Sequence, residues 1–92
     1  MPGPGAHVQF EQQGSELKAI QVVREARSPI IVSIQRALFT LGIVVSSYHA
    51  RPSATRLVER LVIERTDGGS IDGALTAKTK AAILPIVLES HR

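Results

Sequence analysis

The chain has 92 residues, 43% of them hydrophobic, and a formal net charge of +3. That length holds one domain with one core. It has no cysteine, which excludes a disulfide framework and a thiolate metal site, and no apolar run approaches the roughly 20 residues that span a bilayer.

Residues 1–6, MPGPGA, are rich in Pro and Gly and offer nothing to bury, so a disordered tail is expected ahead of a single domain over 7–92. His7–Gln13 alternates, with Val8 and Phe10 on one side and Gln9 and Glu11 on the other, as a strand does. Gly14-Ser15 is a turn signal, and a second strand from about Leu17 to Glu25 should close an antiparallel hairpin. Ser28 then offers an N-cap hydroxyl, and Pro29 suits the first helical position, where its missing N–H costs nothing. Ile30, Ile31, Ile34, Ala37, Leu38 and Leu41 form one helical stripe, and Gly42 ends it by accepting a left-handed backbone.

The β-branched run Ile43-Val44-Val45 opens a third strand, expected to reach about Arg51. Residues 51–55 are expected to form a loop, and Arg56–Arg65 a fourth strand. After the turn at Thr66-Asp67-Gly68-Gly69, Ser70 or Asp72 can cap a last helix whose buried side is Ile71, Leu75, Ala82, Ile83 and Ile86. Pro85 should kink or end that helix. The predicted order is ββαββα, an α+β class with a four-stranded sheet and both helices on one face.

A hairpin of the third and fourth strands closed near Ser53-Ala54 predicts Val45 opposite Ile63, Ser47 opposite Leu61 and His49 opposite Glu59, all under the helices. The open face would then carry Val44, Ser46, Tyr48, Val58, Arg60 and Val62, with Val23 beside them. On the outward side of the first helix, Val32 and Phe39 lie seven residues apart and are flanked by Arg36. Contiguous apolar patches of this kind mark interfaces.

Catalytic chemistry has no constellation here. Ser46 and Ser47 lack a nucleophile-elbow context, and no glycine-rich loop matches a phosphate-binding fingerprint. The histidines at 7, 49 and 91 lack metal-ligand spacing, so neither a metal nor a cofactor is expected. The charges are scattered without a block of one sign, as on a solvated surface. Without a signal-peptide pattern or a membrane span, a cytoplasmic location is expected.

Strand Ile20–Val23, the turn and helix Arg27–Gly42 with Arg36-Ala37-Leu38, Ser47-x-His49, Arg56-x-Val58 and the terminal helix resemble an ACT domain in their order and spacing. The similarity runs from about Val8 to Leu88, and within the family it is nearest the form that ends the protein-PII uridylyltransferases. The resemblance implies a ferredoxin-like sandwich in which the early strand takes the sheet position usually held by a last one. It also implies a non-catalytic regulatory module, a homodimer or a domain docked to a metabolic enzyme, responsive to an amino acid. Carried onto this chain, ligand contacts would come from Arg27, Ser28, Pro29, Ile30, Ser47 and His49. Interface contacts would come from Val32, Arg36, Phe39, Val44, Ser46 and Tyr48, in a side-by-side dimer that joins edge strands. Where the family's turn usually reads Asp-Arg-Pro-Gly, this chain has Ala26-Arg27-Ser28-Pro29, so a pyrrolidine ring replaces the glycine that lets a ligand approach. The competing class is a small basic nucleic-acid-binding protein on the same kind of sheet, with Tyr48 as its one stacking candidate on the open face.

Overall fold

A computed structural model describes residues 6–25 and 29–90. Its elements follow the predicted order: β1 (His7–Gln13), β2 (Glu16–Arg24), α1 (Ile31–Phe39), β3 (Ile43–Ser53), β4 (Arg56–Arg65) and α2 (Gly73–Ser90). The four strands form one antiparallel sheet in the order β1-β2-β4-β3. Ile20, Val22, Leu61 and Ile63 turn one sheet face towards Ile34 and Leu38 of α1 and Ile83 and Val87 of α2, and these residues make one core. Both helices therefore cover the same face. Residues 1–5 of the expected tail lie outside the described residues, whereas Ala6 already packs against the core.

The helix boundaries differ from the prediction at the start and agree at the end. α1 begins at Ile31 rather than Pro29, with Ile30 in the N-cap position and no side-chain cap. The expected cap Ser28 lies outside the described residues. At the other end Gly42 takes a φ of 75° and donates its N–H to the Phe39 carbonyl, the left-handed stop expected of glycine. Asp72, not Ser70, caps α2, its Oδ1 accepting from the Leu75 N–H at 3.0 Å.

Pro85 neither ends nor divides α2, which runs on to Ser90. The reason lies in where the proline sits. Pro85 and Ala81 are both exposed, so the carbonyl that loses its helical N–H partner is on the solvent side. The chain still forgoes a hydrogen bond, so Pro85→Ala should stabilise the fold by about 1–3 kcal/mol in urea denaturation.

The β3–β4 hairpin is longer than expected, since the predicted loop over 51–55 shrinks to Ala54-Thr55. Its register begins as predicted, with Val45 opposite Ile63, and then slips by one residue at Ser46. Beyond this bulge Ser47 meets Val62, Tyr48 meets Leu61 and His49 meets Arg60. One extra residue exchanges the two faces for everything after it. Tyr48 thereby moves under the helices, and Ser47 and His49 move to the open face. The bulged Ser46 is exposed and donates its hydroxyl to the Val62 carbonyl at 3.2 Å.

At the hairpin tip Ala54 holds a φ of 57°, a left-handed conformation that costs an alanine about 1–2 kcal/mol and a glycine nothing comparable. Ala54→Gly should stabilise the chain by about 1 kcal/mol and Ala54→Val destabilise it, both readable as midpoint shifts in chemical denaturation.

Candidate functional site

Two features, one at the start of α1 and one beside its C-terminal half, organise the predicted side chains. The first is a buried polar knot around Glu59, which is 0% exposed in the middle of β4. Its Oε1 accepts the Tyr48 hydroxyl at 2.7 Å and the Ile30 N–H at 3.2 Å. Its Oε2 faces Nε of Arg24, itself 2% exposed, at 3.6 Å. A carboxylate so far from water requires such company, because desolvating the charge costs several kcal/mol. The residue preceding α1 thus donates its N–H to a long-range acceptor on the sheet.

The phenol of Tyr48 responds to the same environment. Burial first, and then its hydrogen bond to the Glu59 carboxylate and that group's charge, push its pKa up to about 12, against a smaller opposing pull from Arg24. Ionisation is harder in the folded chain than in the unfolded one, where tyrosine titrates near 10. This contribution to stability is therefore complete below pH 10 and is lost as the pH rises towards 12.

The second feature is an open groove of about 580 Å³ between α1 and β3. Gln35, Arg36, Phe39 and Thr40 line one wall, and Ile43, Val44 and Val45 the other. Phe39 is 68% exposed, and Val32, two turns earlier, is 61% exposed. The β3 wall of this groove runs along a sheet edge, since among the described residues β3 pairs only with β4. Its outer backbone groups face away from the sheet, and no charge between Ile43 and Tyr48 blunts that edge.

The predicted ligand residues are not gathered into one place. Arg27 and Ser28 lie outside the described residues, Pro29 is exposed, and the Ile30 N–H is engaged by Glu59. Ser47 and His49 sit across the sheet on the open face, for the reason given by the bulge. The predicted interface residues fare differently. Arg36, Phe39 and Val44 share the groove, Val32 and Ser46 are exposed, and Tyr48 is withdrawn into the knot. Its withdrawal also takes the stacking candidate off the open face. Glu59 was expected to pair with His49, and Arg24 was not singled out; an arginine ending a β-rich run was the available signal. Among the described residues no three His, Cys, Asp or Glu side chains come together to hold a metal ion, and no helix is long and apolar enough to cross a membrane.

No family model, curated protein or solved structure matches this chain.

Removing the carboxylate should expose the knot's role. Glu59→Ala leaves the buried Arg24 charge without this counter-ion, and a loss of about 3–5 kcal/mol is expected in urea denaturation. Tyr48 is the one tyrosine in the chain, so ultraviolet titration reads it alone. The folded wild type should titrate near 12, and Glu59→Gln should lower that midpoint only part of the way, because burial persists.

Proposed function

We propose that this chain is a non-catalytic, ACT-like regulatory module that works as a homodimer, with a ferredoxin-like sheet in which β1 takes the edge beside β2. The observation that carries the reading is the apolar groove between α1 and the open edge of β3. A second copy placed about a two-fold axis would set edge against edge and Phe39 against the neighbouring α1, as an isologous interface requires. The ββαββα connectivity and the strand order support the ferredoxin-like description.

The sensing half of the family's role has less support than the interaction half. Glu59 already takes the Ile30 N–H, which a ligand carboxylate at the helix start would seek, and Pro29 supplies no N–H. Amino-acid responsiveness is therefore proposed as secondary to assembly. A thermal-shift screen over the amino acids tests it, since a ligand specific to the folded state must raise stability. The nucleic-acid reading loses its support with the inward turn of Tyr48.

Phe39→Asp is the direct test of the groove. Burying a Phe is worth roughly 1.5–3 kcal/mol, so this variant should weaken the groove-mediated dimer more than tenfold while leaving the far-UV circular dichroism unchanged. Sedimentation showing a wild-type monomer at high micromolar concentration would defeat the homodimer.

A further inference from the structure

Helix α2 has two apolar sides. Towards the core it presents Ile83 and Val87, with Leu75 and Ile86 partly buried against them. Away from the core Ala74, Ala77, Ala81, Leu84 and Leu88 are all exposed, spaced alternately by three and four residues. At about 100° per residue these five positions fall within roughly 80° of arc, the narrow seam of a two-helix coil. Leu84 keeps 41% and Leu88 63% of its surface exposed. Single exposed leucines need no explanation, but an unbroken seam along about 21 Å of helix does.

We propose that a second copy of this chain covers the seam, its α2 packed antiparallel to the first about a two-fold axis. Size complementarity supports that direction. The seam's alanines lie towards the helix N-terminus and its leucines towards the C-terminus. Antiparallel packing sets Leu88 against the partner's Ala77 and Leu84 against the partner's Ala81, so each layer combines a large with a small side chain. Parallel packing would put alanine on alanine at one end and leave it underfilled.

Charge complementarity points the same way. Lys78 and Glu89 flank one side of the seam, about three turns apart. An antiparallel pair brings Lys78 near the partner's Glu89, twice over by symmetry, whereas a parallel pair would align like charges. On the other flank Lys80 lies 5.5 Å from the centre of the Phe10 ring, a cation–π contact within its own chain.

This surface is separate from the α1–β3 groove, so chains that use both would join groove dimers into larger assemblies, and the two can be tested apart. In the full-length chain carrying Phe39→Asp, sedimentation should still detect the α2-mediated dimer. Adding Leu88→Asp should weaken it by roughly tenfold or more, and so should adding Leu84→Glu, with circular dichroism confirming that the fold is kept. Adding Lys78→Glu should also weaken it, and the swap Lys78→Glu with Glu89→Lys should restore the loss. A Phe39→Asp chain that is monomeric at high micromolar concentration overturns the proposal, whatever the fate of the groove. So does failure of the charge swap to recover association, or Phe39→Asp chains that bind phospholipid vesicles through Leu88 instead of each other.

Discussion

A fully buried carboxylate has to be neutralised by its surroundings, and at Glu59 those surroundings come from three other segments. β4 supplies the carboxylate, β2 the guanidinium of Arg24, β3 the phenol of Tyr48, and the start of α1 the N–H of Ile30. Each of these groups costs energy if it is left unsatisfied away from water. The knot therefore constrains where α1 begins, which face Tyr48 occupies and how β3 lies against β4. An apolar cluster of similar volume could be as stable. What the polar version adds is a specified register at the end of the sheet where the helix enters.

The bulge at Ser46 and the knot are two parts of one solution. Ile43 and Val45 already point into the core before the bulge, so a regular hairpin would have left Tyr48 outside. An extra residue at an exposed edge costs little, because the unpaired group can reach water or a neighbouring carbonyl, as the Ser46 hydroxyl does. In return a rigid side chain with a polar tip enters the core margin where an acceptor awaits it. The consequence for function is negative as well as positive. Ser47 and His49 leave the helix side, while the edge from Ile43 to Val45 stays beside α1 as one wall of the groove.

A domain of this size cannot place all its apolar residues in one core. Here the surplus is not scattered. Much of it falls in the groove beside Phe39, along the outer seam of α2, and on the half-buried valines 23, 44, 58 and 62 of the open sheet face, with Val32 exposed on α1. α2 illustrates the point, since its outward apolar residues follow a seam spacing as regular as its inward ones. Pro85 fits the same picture, because its ring adds apolar surface on the exposed side of the single chain, at the cost of one helical hydrogen bond.

Local chemistry was enough to determine the order ββαββα. Alternation over His7–Gln13, the stripe from Ile34 to Leu38, Gly42 at a left-handed stop and Asp72 at a cap each act within a few residues of themselves. The exposure of Val32 and Phe39 was legible for the same reason, since helical periodicity assigns faces directly. Tertiary structure decided what depends on partners distant in the chain. The break in apolar alternation at Ser46-Ser47 was visible, but alternation alone cannot say whether a strand bulges there. The bulged register brings the Tyr48 hydroxyl to a carboxylate eleven residues further on, a partner that alternation does not reveal. Likewise Ser28 and Pro29 carried ordinary signals for a helix start, and the start moved to Ile31, where Glu59 accepts the N–H of the preceding Ile30. A residue's own propensity sets which element it joins. A buried charge, whose cost is several times larger, determines where that element begins and which way its side chains face.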